Sequence, residues 1–162
     1  MYYGLSSKTQ LAEIAVLVCD VLGHGASKNA ASLLIETCAA ETLMGTARDT
    51  TLYGAGAGVS QVDKGTFEWL KEKYEGSSKA KRLKEVLNVD LSRVQYNELD
   101  FSPMLGLVFC RLRYMAVPDA IPKTMEGRAD YWKRWYNSEL GKGTPEEYLE
   151  RCMSCGLRGG AL

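Results

Sequence analysis

The sequence predicts an all-α domain, because apolar residues recur at helical spacing, capping signals recur along the chain and alternating patterns are nearly absent. Leu11, Ala15, Val18 and Leu22 show this spacing on one face of a first helix, which we expect to stop at Gly23. The 162 residues are 46% hydrophobic and 25% charged, as is ordinary for a globular domain with one core. We therefore expect a single helical domain over residues 1–162.

A second helix is predicted from Ser27, a suitable N-cap, to Gly45, a suitable terminator. Gly54, Gly56 and Gly58 then alternate in a loop of about a dozen residues, a length that is often functional in compact domains. The pattern indicates that residues 46–58 form a mobile wall beside this helix.

Four more helices are predicted from residue 63 onwards. Asp63 or Thr66 can open one, and a polar helix follows over residues 79–87. Ser102-Pro103 places proline in the first turn of the next helix. Thr144-Pro145-Glu146-Glu147 is a capping box that opens the last helix.

Three remaining segments complete the prediction. A helix carries Ala129, Trp132 and Tyr136, the last two on one face that is expected to be buried. Only residues 59–62 and 91–96 could form short strands, which would make a vestigial β-hairpin.

Charge and hydropathy exclude several classes of partner. Twenty basic and twenty acidic side chains cancel, which argues against a nucleic-acid-binding protein with a large basic face. The most apolar early stretch, residues 11–22, is short and carries Glu13 and Asp20, so no membrane span is expected. The N-terminus MYYGLSSKTQ has no pattern of a secretion signal.

Five cysteines do not make a disulfide framework. Cys19, Cys38 and Cys110 lie on apolar helical faces, where a free thiol behaves as a small hydrophobe. Cys152 and Cys155 form one CxxC, which we interpret as free thiols at a frayed helix end. A zinc or redox role is the alternative, but one CxxC supplies only two ligands, so no metal is expected.

Glu41 is the candidate catalytic residue. At 100° per residue it lies at the edge of the apolar stripe of the second helix, about 70° from its centre, near the helix C-terminus. Desolvation and the negative end of the helix dipole both raise the pKa of a carboxyl group there, as a general acid requires. The alternative is a solvated glutamate on the last turn. Glu36 points nearly opposite to the stripe, and we expect its replacement to be almost silent.

Several motifs resemble those of the goose-lysozyme and lytic-transglycosylase families. In those families a glutamate at a helix end precedes a Gly-x-x-Gln turn by roughly twenty residues; here the turn is Gly58-Val59-Ser60-Gln61. Phage-encoded members of the superfamily are more similar still. Their later motifs match RLRY (residues 111–114), YWKRWYN (131–137) and GKGT (141–144) in order and spacing. The resemblance covers residues 31–152.

The resemblance implies that the chain cleaves the glycan strands of peptidoglycan, with Glu41 as catalytic residue and without metal or cofactor. The residues that it implies in substrate binding are Thr42, Gly58, Ser60, Gln61, Tyr114 and Asn137. With one well-placed glutamate, a lytic transglycosylase is the economical mechanism. A muramidase that uses Asp49 or Asp63 as a second carboxylate is the alternative.

The resemblance also implies synthesis in the cytoplasm of a bacterial host and action on its wall, by a virion component, in contact with other virion proteins, or by a free endolysin. Thr42 keeps the hydroxyl of the family's serine, whereas Val59-Ser60 replaces an aromatic pair. That second change favours a different class of function: a non-enzymatic virion structural or saccharide-binding protein that retains the fold.

Overall fold

The computed structural model describes residues 1–48 and 56–159, and this part of the chain is helical, as the sequence predicts. Its α-helices are Lys8–Leu22 (α1), Ala30–Thr42 (α2), Lys64–Tyr74 (α3), Ser78–Leu87 (α4), Pro103–Met115 (α5), Met125–Trp132 (α6) and Pro145–Ser154 (α7). A 3₁₀-helix covers Tyr96–Asp100, and a π-helical turn, Lys133–Asn137, continues α6. None of the helices in the described ranges is both long and apolar enough to cross a membrane.

Helix α2 is the central helix and is packed against α1, α5 and α7. It begins one residue after Asn29, whereas the Ser27 hydroxyl donates to the carbonyl of Ile121 at 2.7 Å. The expected N-cap was therefore wrong, because Ser27 is used in a tertiary contact. The helix ends at Thr42, where Leu43 takes a left-handed conformation with φ 50°, and Gly45 follows with φ 79°.

The environment of Glu36 contradicts the expectation that its replacement would be almost silent. Only 4% of Glu36 is exposed, and its carboxylate accepts two hydrogen bonds of 2.7 Å from the Arg128 guanidinium. The Tyr148 hydroxyl donates a third bond, at 2.9 Å. Helices α6 and α7 cover the polar side of α2, so the face opposite the apolar stripe is buried as well.

Three predicted helix starts are confirmed by side-chain caps. Asp63 accepts from the Thr66 N–H at the start of α3, and Ser102 accepts from the Leu105 N–H at the start of α5. The capping box at Thr144 is present at the start of α7. The predicted stop of α1 at Gly23 is confirmed as well.

The predicted hairpin reduces to one isolated antiparallel bridge between Ala57 and Val62. Residues 58–61 form its turn, with positive φ at Gly58 (75°) and Gln61 (51°). A Cβ on Gly58 would lie 2.9 Å from the Leu99 carbonyl oxygen, so only glycine fits this close approach. Residues 91–95 form a turn and coil, and Tyr96 begins the 3₁₀-helix, so this segment contains no strand.

The cysteines pack largely as expected. Cys19, Cys38 and Cys110 are buried in the helical core, and all five thiols are free. Cys152 departs from the expectation of a frayed end, because it is fully buried on the inner face of α7, with its thiol 3.7 Å from the Glu36 carbonyl oxygen. The packing of α7 on α2 orders this end of the chain.

Candidate active site

A cleft of about 590 Å³ opens at the C-terminal end of α2. Its walls come from α2, the 57–63 turn, the end of the π-helical turn with the segment that follows it, and α7. The charged and amide side chains that line it include Glu41, Gln61, Asp63, Arg113, Asn137 and Arg151. The structure thus brings together four of the residues proposed from the sequence: Glu41, Gln61, Asp63 and Asn137.

Glu41 lies at the base of this cleft, partly buried. The indole N–H of Trp132 donates to its Oε1 at 3.0 Å. Desolvation by burial raises the pKa of Glu41 from its ordinary 4.5 to about 7, against the opposing effects of the Trp132 hydrogen bond and of the positive charges of Arg151 and Arg113. Near neutral pH both protonation states of the carboxyl group are therefore accessible, and it can both donate and accept a proton.

Local structure explains the position of Glu41. It is the penultimate residue of α2, and the chain turns sharply afterwards through left-handed residues Leu43 and Met44. Arg151 on α7 donates to the Ala40 carbonyl at 2.7 Å and so satisfies a carbonyl in the last turn. The helix end is thereby fixed to α7, with the Glu41 side chain between the two elements.

Gln61 ends the tight turn on the opposite wall. Its amide Nε2 donates to the Gly58 carbonyl at 2.9 Å and to the Tyr3 hydroxyl at 3.3 Å. Asp100 also stabilises the turn, because its Oδ1 accepts a hydrogen bond from the Gly58 N–H at 2.7 Å. These contacts fix the Gln61 side chain at the cleft with Glu41, as the sequence predicts.

Asp63 lines the same cleft, but its carboxylate already has partners. It accepts from the N–H and the hydroxyl of Thr66 at 2.8 and 2.6 Å, and it lies 3.5 Å from Nη1 of Arg113. Arg113 also donates through Nη2 to the carbonyls of Trp135 and Tyr136. Arg113 therefore ties the α3 cap to the π-helical turn across the cleft. Asp49, the other candidate carboxylate, lies outside the described residues, as does most of the 46–58 loop.

Thr42, Ser60 and Tyr114 lie behind the cleft rather than in it, which corrects the expectation of substrate contact for their side chains. The Thr42 hydroxyl donates to the Val59 carbonyl at 2.7 Å, and the Ser60 hydroxyl donates to the Gly106 carbonyl at 3.0 Å. The Tyr114 hydroxyl bonds to a buried hydroxyl of α2, Thr37, at 2.8 Å. All three are buried.

These buried residues and Gly58 support the site. Thr42 joins the end of α2 to the turn that carries Gln61, and Gly58 allows that turn to approach the 3₁₀-helix. The Tyr114 ring stacks between those of Tyr131 and Tyr136. The stack positions the π-helical turn against α5.

Asn137 ends the π-helical turn, and its Oδ1 accepts from the Lys133 Nζ at 2.8 Å. Lys133 also donates to the Gly141 carbonyl at 2.8 Å. A Cβ on Gly141 would lie 2.3 Å from atoms of Asn137, so this glycine is required by packing. The GKGT segment is a closely packed loop that leads to the Thr144 cap.

Sequence reasoning missed a second, smaller pocket that Glu41 also lines. It has a volume of about 250 Å³ and shares Glu41, Asn137, Lys142 and Arg151 with the main cleft. Trp132 lies in its wall. Nothing local in the sequence marks Trp132, Lys142 or Arg151 as neighbours of Glu41, because they come from segments 91 or more residues away.

Within residues 1–48 and 56–159, no group of three or more histidine, cysteine, aspartate or glutamate side chains converges as a metal site would require. Glu41 and Asp63, the carboxylates of the main cleft, are separately engaged by Trp132 and by Thr66.

Comparisons of the chain with protein-family models, with curated proteins and with solved structures find no match. A functional assignment therefore rests on the geometry of the cleft and on the sequence motifs.

Proposed function

We propose that this protein cleaves the glycan strands of bacterial peptidoglycan as a lytic transglycosylase, with Glu41 as its catalytic residue. The observation that carries the proposal is that the partly buried Glu41 carboxyl group, bonded to Trp132, lines both an open cleft and a smaller pocket that shares this cleft's residues, a space that can hold sugars. Burial raises the pKa of this carboxyl group to about 7. A general acid works best when its pKa is close to the working pH. Gln61 and Asn137 line the cleft and supply amide groups suited to hydroxyl and acetamido groups of sugars.

The proposed reaction needs one carboxyl group in two protonation states. Protonated Glu41 donates its proton to the glycosidic oxygen as the bond from that oxygen to C1 breaks. The resulting carboxylate then removes the proton from the muramyl 6-hydroxyl as this oxygen forms a bond to C1. Glu41 regains its proton, and the product carries a 1,6-anhydro ring with no water consumed.

The carboxylates in the described part of the cleft suit a lytic transglycosylase, which needs one carboxyl group, better than a hydrolase, which needs two. Retaining and inverting hydrolases use a second carboxylate beside the scissile bond. Asp63, the described candidate, caps α3 and is engaged by Thr66 and Arg113. A tethered hydroxyl of the substrate can replace water as nucleophile, and tethering gives it a large kinetic advantage. A muramidase that uses Asp49 or Asp63 is the alternative within enzymes.

The rival from another class is a virion structural or saccharide-binding protein without activity. The buried side chains of Val59 and Ser60 favour it, since this turn gives the cleft no aromatic surface for stacking on a sugar. The site of action that we propose, the bacterial wall, is shared by both candidates.

Loss of turbidity of purified cell walls separates the two. We expect the unmodified protein to clear the suspension and Glu41→Gln to leave it turbid, because the amide cannot donate the proton. Glu13→Gln is the matched control, since Glu13 is exposed on α1 and does not line the cleft. No clearing by the unmodified protein, together with binding to the walls, would favour the non-enzymatic candidate.

A further inference from the structure

The cleft beside Glu41 is basic although the whole chain has no net charge. Four cationic side chains line the main cleft, Arg48, Arg113, Lys142 and Arg151, against the two carboxyl groups of Glu41 and Asp63. Burial raises the pKa of Glu41, so protonation of this carboxyl group increases the positive excess as the solution becomes more acidic.

Two of these cations are placed to contact a ligand in either pocket. Lys142 and Arg151 line the main cleft and the smaller pocket. Neither forms an ion pair with any carboxylate among residues 1–48 and 56–159. Arg113, by contrast, is engaged by Asp63 and by two backbone carbonyls.

Arg151 keeps hydrogen-bond donors available for a ligand, although its charge also acts on Glu41. Its Nη1 donates to the Ala40 carbonyl, which fixes the guanidinium at the end of α2 and leaves further N–H groups for a ligand. Glu147 is the second carboxylate of the smaller pocket, and its Oε2 accepts from the Thr144 N–H in the capping box. An arginine guanidinium matches the planar geometry of a carboxylate, and a lysine ammonium group adds a compact positive charge.

We propose that Lys142 and Arg151 form a carboxylate-binding subsite next to Glu41, which selects glycan strands that carry carboxylates over neutral glycans. The inference rests on the proposed function, because it assumes that a glycan strand occupies the cleft. Two sources of the carboxylate have the same chemistry: the lactyl group of a muramyl residue without peptide, and the acidic groups of an attached stem peptide.

Calorimetric binding to the Glu41→Gln protein tests the subsite without turnover. The probes are peptide-free peptidoglycan strands, strands that retain their stem peptides, and a neutral chitin hexamer. We expect both carboxylate-bearing strands to bind more tightly than the hexamer. Adding Lys142→Gln and Arg151→Gln should weaken binding of the charged strands by about tenfold, the scale of two partly exposed ion pairs, and leave the hexamer nearly unchanged.

In the control protein, Glu41→Gln is combined with Lys28→Gln and Arg158→Gln. These two substitutions remove the same net charge as the subsite variant, but from exposed positions outside both pockets. Which of the two charged strands loses more affinity in the subsite variant identifies the source of the carboxylate. Equal affinity for charged and neutral glycans, or an equal loss in the control, would overturn the subsite while the proposed function stands. No binding of any of the three glycans would overturn both.

Discussion

The indole N–H of Trp132 donates a hydrogen bond to Oε1 of Glu41 across 3.0 Å, joining the end of α6 to the end of α2. The bond favours the ionised carboxylate and so limits the increase in pKa that burial causes. It also holds the carboxyl group at the boundary between the two pockets. Trp132 is thus a positioning residue for the proposed catalytic acid.

Trp132→Phe tests this relationship. Without the indole N–H the pKa of Glu41 should rise above 7, so activity should persist to higher pH than in the unmodified protein, where it should fall as pH rises through about 7. We expect a loss of stability of about 1–3 kcal/mol from the smaller buried ring. The pH dependence of wall clearing measures the shift. Trp69→Phe, at an exposed position, is the control, and an unshifted profile in Trp132→Phe would contradict the role of the bond.

Glu41→Gln is expected to change stability in a pH-dependent way. Below pH 4.5 both the folded and the unfolded state hold the proton; between 4.5 and about 7 only the folded state does; above 7 the folded state carries the full cost of a buried charge. The wild type should therefore lose stability relative to Glu41→Gln as pH rises from 4.5 to 7. The upper limit is about 3 kcal/mol, at about 1.4 kcal/mol for each pH unit between the two pKa values.

Urea unfolding of both proteins at pH 4.5 and pH 8 measures this difference. Glu41→Gln should be close to the wild type at the lower pH and more stable at the higher one. A constant difference between the two proteins across this range would show that the folded protein does not raise the pKa of Glu41.

Glu36→Gln should be strongly destabilising. It leaves the buried Arg128 guanidinium without its counter-charge, and breaking a buried pair in this way costs about 3–5 kcal/mol. Glu13→Gln, on the exposed face of α1, should change stability by less than about 0.5 kcal/mol. Chemical denaturation compares the two, and equal midpoints would contradict the buried ion pair.

Asp63→Asn should keep most of the activity. Asparagine can still accept the Thr66 N–H as an N-cap, so we expect a stability change within about 1 kcal/mol. If Asp63 were the second carboxylate of a hydrolase, the variant would instead be inactive although folded. The rate of wall clearing, measured beside circular dichroism, distinguishes these outcomes.

Local signals made the fold class predictable. The caps at Asp63, Ser102 and Thr144 each act within three residues, so the sequence contains the whole interaction. Ser27 shows the limit of this reasoning, because its hydroxyl is taken by Ile121, 94 residues later. The N-cap then moves to Asn29.

The site was predictable only in part. The helical position of Glu41 and the turn that carries Gln61 are local patterns, and both residues line the cleft. Helical periodicity cannot show that α6 and α7 cover the polar side of α2, so it predicted an almost silent replacement at Glu36, which in fact forms a buried ion pair with Arg128. Periodicity also could not predict that Trp132 contacts Glu41 or that Arg151 contacts Ala40, because both contacts depend on tertiary packing.

The mass spectrum of muropeptides released from purified peptidoglycan tests the central proposal most directly. A lytic transglycosylase should give products with 1,6-anhydro ends, one water lighter than reducing-end products, and Glu41→Gln should give neither. The matched control Glu13→Gln should reproduce the wild-type spectrum. Reducing ends alone would convert the assignment to a hydrolase, and release of the same products by Glu41→Gln would contradict the account of Glu41 as the catalytic residue.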